Sequence, residues 1–266
     1  MHIEDIVKKY SSGNILKHDA ENLACQEIIL SKIATSEQKE KVTLKGGIVL
    51  YNLSKGVRPV TKDIDFDLIR SSIDNESLRL FVKKLDSVKD GITVKINGEI
   101  EPLHQENYKG ARINIVLIDK KKDKLYFKFD IGVHTYSAIE QEQLLFSFNN
   151  IDQSTLQVNP PEQIFCEKLF SLANLGTLSH RYKDVYDMYY LIKENILNAK
   201  KVKEYISLYL NLSKRKLNDM NSLYQRIDET LNNETFIKDT VNSESRWIDD
   251  DYVVIRDTIL DYVYNI

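Results

Sequence analysis

The sequence contains little cysteine, little histidine and no long apolar run. Two cysteines, Cys25 and Cys166, lie far apart among 266 residues, which excludes a disulfide-rich secreted framework. The five histidines show no zinc-ligand spacing with either cysteine, so no zinc site is expected. No stretch approaches the roughly 20 apolar residues of a membrane span, and no secretion leader is recognisable. We therefore expect a cytoplasmic protein with no membrane partner.

Charge of one sign is not in excess either. The 37 basic and 40 acidic residues leave a net charge of -3, which excludes a general polycation, although local basic patches could still contact a polyanion. One such patch lies between residues 199 and 216. Its basic residues are Lys200, Lys201, Lys203, Lys214, Arg215 and Lys216. Apolar residues make up 42% of the chain, enough for one large domain or two small ones.

The N-terminal part of the chain combines helical periodicity with alternating stretches. Apolar spacing of three and four residues predicts helices over 15–34, 48–56 and 75–89. Alternation or β-branched content predicts strands over 41–47, 63–69, 91–100, 111–119 and 125–133. The polar segment KKKDK between the last two strands has the length of a hairpin turn. These signals predict a sheet with helices packed on it.

From Pro160 onward, helical periodicity replaces the strand signals. Helices are predicted over 160–176, 181–196, 199–216 and 249–266. The expected fold class is therefore α+β, a mixed sheet with helices followed by a C-terminal helical bundle. We expect residues 1–155 to form an α/β domain with N-terminal helices, and residues 156–266 to form the helical domain.

The stretch KDIDFDL, residues 62–68, places acidic residues at alternate positions of a strand. Asp63 and Asp65 then point to one face, about 7 Å apart. A pair of like charges at this spacing is costly unless a cation neutralises it, and carboxylates suit Mg²⁺ or Mn²⁺. Asp130 lies opposite the apolar face of its own strand and completes a three-carboxylate metal site if the two strands pair. Asp67 continues the alternation and is expected to be peripheral.

The alternative interpretation of this stretch is a solvated strand face, the usual setting of an isolated Asp-x-Asp pattern. The preceding glycines favour a site. Gly46 and Gly47 end a strand and begin a helix, where backbone N–H groups without side chains can bind a phosphate. Gly46 and Gly47 are therefore candidate nucleotide-binding residues.

Several motifs together resemble a known family. LKGGIVLYNLSKGVRPVTKDIDFDL is similar to the opening motif of DNA polymerase β-like nucleotidyltransferases. With the later PPEQIFCEKLFSL and RYKDVYDMYYL, the chain resembles the AbiEii family of toxin nucleotidyltransferases over roughly residues 40–195. It departs from the family at Ile48, where relatives often have a small hydroxyl residue.

This resemblance implies roles for particular residues. Asp63 and Asp65 would bind metal ions, Lys168 would contact nucleotide phosphate, and Asp184 or Asp187 would be an acidic residue needed for activity, with Asp187 favoured. From the sequence alone, Lys168 lies along an apolar helical stripe and needs a partner, which fits a structural lysine equally well. Asp184 lies one helical turn from Arg181, which fits a surface ion pair.

The expected function is transfer of an NMP from an NTP to an acceptor hydroxyl, with Mg²⁺ or Mn²⁺. The resemblance implies a toxin of a bacterial toxin–antitoxin or abortive-infection (phage-defence) system, with RNA, first of all tRNA, as acceptor and a cognate antitoxin as partner. The alternatives are nucleotidyl transfer to a small molecule or a protein, and a regulatory protein that binds NTP without turnover.

Overall fold

The chain folds into two compact units, Met1–Asn159 and Pro160–Ile266. The computed structural model describes residues 1–11, 15–105, 108–134, 138–147, 153–212 and 217–266, without the side chains of 104–109. Part of the predicted basic patch, residues 213–216, lies outside these ranges. Within the described residues, no helix is long and apolar enough to cross a membrane.

Helices and strands alternate in the first unit. Its elements are α1 (Ile3–Tyr10), α2 (Lys17–Ala34), β1 (Val42–Lys45), α3 (Gly47–Leu53), β2 (Ile64–Leu68), α4 (Asn75–Asp86), β3 (Ile92–Gln105), β4 (Tyr108–Asp119), β5 (Lys124–Val133), β6 (Glu142–Phe146) and β7 (Ser154–Val158). Helix α1 and strands β6 and β7 were not predicted from the sequence, whereas the other elements of this unit were.

Seven strands form one mixed sheet in the described part of the chain, in the order β3-β4-β5-β2-β1-β7-β6. Strand β2 pairs in parallel with β5, and β1 pairs in parallel with β7. The other neighbours are antiparallel, including the long hairpins β3-β4 and β4-β5. The predicted α+β class with a mixed sheet is confirmed.

One face of the sheet is apolar because β2 and β5 alternate. Phe66 and Phe129 are fully buried there, with ring centroids 5.4 Å apart. Phe81 of α4 lies 5.5 Å from Phe66, and Asp74 caps this helix by accepting the Ser77 N–H at 2.8 Å. The apolar face therefore fixes the acidic positions of β2 on the other side of the sheet.

The first unit extends through Asn159. The Asn159 N–H donates to the Leu44 carbonyl at 2.8 Å, and its side-chain oxygen accepts from Thr43 Oγ1 at 3.1 Å. Asn159 is fully buried, so it belongs to the sheet. The expected boundary at 155/156 falls inside β7.

The second unit is helical. Its helices are α5 (Pro161–Leu175), α6 (Tyr182–Lys193), α7 (Ala199–Leu212), α8 (Met220–Leu231), α9 (Glu234–Val241) and α10 (Tyr252–Asn265). Prolines begin α5, and Gly176 ends it with a φ of 58°. Helix α8 begins at a capping box in which Asp219 accepts the Ser222 N–H at 2.7 Å. The helical second half confirms the predicted class, although α8 and α9 were not predicted.

Candidate functional site

Five charged residues lie in one row across the polar face of the sheet. Strand pairing places Lys45 opposite Asp65, Asp65 opposite Asp130, Asp130 opposite Arg112, and Arg112 opposite Glu101. We call these five residues the charged row. Asp65 and Asp130 are its only two adjacent like charges, and they sit on the neighbouring parallel strands β2 and β5. The sheet therefore brings together the two strands that carry the predicted acidic residues.

Asp63 and Asp65 are both half-buried at the start of β2. Asp63 accepts a hydrogen bond from Thr61 Oγ1 at 3.0 Å, and its Oδ2 lies 3.9 Å from Lys128 Nζ. The Asp65 carboxylate lies against the backbone of Gly46, where an added Cβ would be 2.9 Å from Asp65 Oδ2. The Gly46 position thus determines where the Asp65 carboxylate can lie.

Asp130 is bound by a guanidinium group. Arg112 Nε donates to Asp130 Oδ1 at 2.8 Å and Arg112 Nη2 donates to Oδ2 at 2.7 Å, a bidentate charge-assisted pair. The ion pair with Asp130 raises the pKa of Arg112. Within the described residues, no three His, Cys, Asp or Glu side chains form a group that could hold a metal ion. The geometry thus differs from the expected three-carboxylate cluster, because Arg112 occupies both oxygens of Asp130.

Asp67 is placed differently from the other two acidic residues of β2. It is buried, and its Oδ1 accepts from Lys45 Nζ at 2.8 Å. Since a lysine already balances its charge, a cation is not needed at Asp67. The peripheral role expected of Asp67 stays a prediction.

Each of the two glycines makes room for neighbouring side chains. Gly46 has a φ of 63° and a ψ of -136°, a combination that costs other residues about 1–3 kcal/mol. An added Cβ at Gly47 would lie 3.0 Å from Arg58 Nη1 and 3.0 Å from Thr61 Oγ1. The space beside each glycine is therefore filled by protein groups, Asp65 at Gly46 and Arg58 with Thr61 at Gly47.

The donor chemistry on this face fits Mg²⁺ or Mn²⁺. These ions are commonly held by one or two carboxylates together with substrate phosphates and water, so a three-carboxylate cage is not required. Asp63 and Asp65 offer carboxylate oxygens on one strand face, and Asp130 adds a second negative charge directly beside Asp65. A divalent cation would relieve the repulsion between these adjacent carboxylates.

The predicted residues of the second unit form a buried ion cluster, which we define as Lys168, Asp184 and Asp187. The exposed side chain of Arg181 pairs with Asp184 at its edge. Lys168 of α5 donates to Asp184 of α6, and its Nζ lies 2.8 Å from Asp187 Oδ2. Arg181 donates to Asp184 from its Nε. The Lys168 and Asp184 side chains are 8% exposed, and that of Asp187 is fully buried. Lys168 therefore has the partner that its apolar surroundings require, and both candidate acids supply it.

Charge balance inside this cluster changes the acidity of Asp184. Burial acts to raise the pKa of the Asp184 carboxyl, but the nearby Lys168 ammonium and Arg181 guanidinium outweigh burial and lower it below its ordinary value. Asp184 is consequently ionised at neutral pH. An ionised, doubly paired carboxylate is suited to hold the two helices together, and it fixes the orientation of Lys168 and Arg181.

Arg112 is the residue of this face that sequence reasoning missed. A signal for it was available. Arg112 and Asp130 lie equally far on either side of Lys121, the centre of the turn between β4 and β5, so a simple hairpin register pairs them. Counting outward from the turn would have placed a guanidinium beside the candidate ligand.

Comparison with known proteins identifies the family of the chain. A search of curated proteins gives no match. The family model described as "Nucleotidyl transferase AbiEii toxin, Type IV TA system" matches residues 28–259. That range contains β1 to β7 and all the acidic residues of both clusters. The chain therefore belongs to the AbiEii family of nucleotidyltransferase toxins of type IV toxin–antitoxin systems.

Proposed function

We propose that this toxin transfers an NMP from an NTP to a hydroxyl group of an RNA acceptor, with tRNA as the first acceptor to test. The observation that carries the proposal is the adjacent pair Asp65 and Asp130 on parallel strands, with Asp63 directly before β2 and 3.9 Å from Lys128 of β5. In the reaction, the acceptor oxygen forms a bond to the α-phosphorus. The bond from that phosphorus to the β-phosphate oxygen breaks, and pyrophosphate leaves.

We assign Asp63 and Asp65 to metal binding, and we assign to Asp130 the negative charge beside them. A bound Mg²⁺ or Mn²⁺ would supply positive charge to the triphosphate and help to ionise the acceptor hydroxyl. Arg112 is assigned to hold the Asp130 carboxylate in one orientation, because its two hydrogen bonds fix both oxygens. Gly46 and Gly47 are assigned to the approach of the nucleotide, and Gly46 also leaves the Asp65 carboxylate the space that it occupies.

In the second unit, Lys168, Asp184 and Asp187 are assigned to nucleotide recognition on the strength of the family. Their mutual ion pairs support a role in which the two carboxylates orient the ammonium. The family also supports a cognate antitoxin as partner of the toxin. The family, described as a nucleotidyl transferase, favours an enzyme over a binder without turnover.

The test is incubation of the purified protein with Mg²⁺, total bacterial RNA and each α-labelled NTP in turn. Asp65→Asn should reduce the label transferred to RNA by more than about 100-fold, since even partners that only orient metal ligands are worth 10- to 100-fold. Asp67→Asn is the matched control on the same strand and should retain transfer. Thermal unfolding of each variant checks that both proteins are folded.

Other outcomes assign other functions. If label moves to protein or to a small molecule but never to RNA, the protein is a nucleotidyltransferase with a different acceptor. Binding of NTP without transfer under any condition would favour a regulatory protein. An Asp65→Asn variant as active as wild type would remove the carboxylate assignment.

A further inference from the structure

The polar face of the sheet continues beyond the charged row, along β3, β4 and β5. Strand pairing aligns Lys95, Val116 and Tyr126 in one row across these strands, and Thr93, Ile118 and Lys124 in the next. Tyr126 is 65% exposed. Lys124 is exposed two residues before it on β5, and Lys95 is exposed two strands away on β3. A large aromatic ring is thus presented to solvent on a face that also carries two lysines.

The far end of this face is basic. The turn between β4 and β5 contains Lys120, Lys121 and Lys122, all exposed. Of the two turn aspartates, Asp119 is buried and accepts backbone N–H groups of the turn at 2.8 and 3.0 Å, while Asp123 is exposed. Glu4 lies 4.0 Å from Lys121. Positive charge therefore predominates at the tip of the hairpin.

We define the lysine–tyrosine track as Lys95, Lys124, Tyr126 and the turn lysines 120–122. Along β5 it leads from Lys124 past Tyr126 and Lys128 to Asp130. Six residues of strand correspond to about 20 Å at roughly 3.3 Å per residue. The track thus reaches the proposed metal-binding carboxylates within the span of a few nucleotides.

We propose that the lysine–tyrosine track binds the single-stranded end of the RNA acceptor, with a base stacked on Tyr126 and phosphates beside the lysines. The proposal rests on the proposed function, since it assigns the surface that presents the acceptor to that site. Exposed aromatic rings flanked by cations are how proteins bind single strands without sequence preference. The polyanionic backbone complements the lysines, whereas a protein partner is favoured by a contiguous apolar patch.

The rival basic surface is α7 in the second unit. Lys200 and Lys203 are exposed there, and Glu204 is exposed next to them. This helix is the one predicted from the sequence as a basic patch. It therefore provides a charge-matched control for the track.

The experiment measures anisotropy of a fluorescein-labelled single-stranded RNA of about ten nucleotides, over a series of KCl concentrations. Tyr126→Ala should weaken binding by about 5- to 150-fold, the usual loss for one stacked base, and Tyr126→Phe should restore it. Lys95→Ala with Lys124→Ala should lower the salt slope by about 0.7 per lysine. Tyr264→Ala, at a tyrosine that is 74% exposed on α10, and Lys200→Ala with Lys203→Ala should bind as wild type.

Three results would overturn the track. Unchanged RNA affinity in both track variants would reject it, and loss in the α7 variant alone would assign the RNA to α7. A wild-type protein without affinity for the RNA would reject the track as an RNA surface and leave it to a protein partner.

The label-transfer assay separates this failure from failure of the proposed function. If the wild type and both track variants transfer label to RNA at equal rates, the proposed function is supported and the track is rejected. If the track variants lose RNA binding but the wild-type protein never transfers label, the track is supported and the transferase proposal is rejected.

Discussion

The charged row of the sheet and the buried ion cluster of the helices balance their negative charge in opposite ways. In the sheet, Asp65 and Asp130 are neighbours of like sign on a half-exposed face. In the helices, Asp184 and Asp187 both contact Lys168 in a site almost without solvent. In the first arrangement Arg112 binds Asp130, and a bound cation can add positive charge between the two neighbouring carboxylates. In the second, Lys168 and Arg181 balance the two carboxylates.

This difference indicates which acids serve binding and which also serve stability. Removing a charge from a like-charged pair relieves repulsion, but removing the cation from a buried ion cluster leaves carboxylates uncompensated. Variants at the two places should therefore affect folding very differently. The chain offers a convenient probe of each unit, because Cys25 and Cys166 are fully buried, one in each unit.

The largest effect on stability is expected for Lys168→Met. This change leaves Asp184 and Asp187 buried without the ammonium, and it should cost about 3–5 kcal/mol of unfolding free energy. Urea unfolding followed by fluorescence of Trp247, the sole tryptophan, reports on the second unit. Thiol labelling should show earlier exposure of Cys166.

Asp65→Asn is the matched control, and it should stay within about 1 kcal/mol of wild type. Equal stability of wild type and Lys168→Met, with weaker NTP binding in the variant, would contradict the comparison. It would make Lys168 a pure ligand of the nucleotide.

A second prediction concerns the support of Asp65. Gly46→Ala introduces a Cβ within 2.9 Å of Asp65 Oδ2 at a φ of 63°, so it should both strain the backbone by about 1–3 kcal/mol and displace the carboxylate. Gly98→Ala is the control. Gly98 has a φ of 91° and no atom within 4 Å of the added Cβ. Gly98→Ala therefore strains the backbone without displacing a side chain.

The two glycine variants should then lose similar stability in thermal unfolding, but Gly46→Ala alone should lose nucleotide transfer. Transfer by Gly46→Ala at the rate of Gly98→Ala would show that the position of Asp65 does not limit the reaction.

The sequence predicted those elements whose pattern is local. Alternation along DIDFDL and LYFKFDIGV fixed both the strands and the face of their aspartates, because side-chain direction in a strand depends only on position. Strands β6 and β7 were missed because EQLLF and STLQV are short and carry polar residues on both faces. Helices α8 and α9 were missed because their caps, not a long apolar stripe, define them.

Partners across elements could not be predicted in the same way. Spacing on one helix suggested Arg181 as partner of Asp184, and that pair is present. Lys168 belongs to another helix, and only packing brings it to the same carboxylate. Arg112, by contrast, reaches Asp130 through the register of the β4-β5 hairpin, which counting outward from the turn would have shown, and the Asp130 carboxylate is already hydrogen-bonded.

The smallest expected effect is on the pH dependence of stability. Because the pKa of Asp184 is lower in the folded protein than in the unfolded chain, its ion pairs stabilise the fold above its unfolded pKa of about 3.9. That stabilisation is lost as the pH falls through the folded pKa. Asp184→Asn lacks this contribution at every pH, so it should be less stable than wild type at neutral pH.

The difference between wild type and Asp184→Asn should narrow as the solution is acidified from about pH 7 to about pH 3. Urea unfolding by Trp247 fluorescence at several pH values measures it. A difference for Asp184→Asn that stays constant with pH would mean that its ion pairs with Lys168 and Arg181 do not stabilise the second unit, and the contrast between the two groups of acids would then fail.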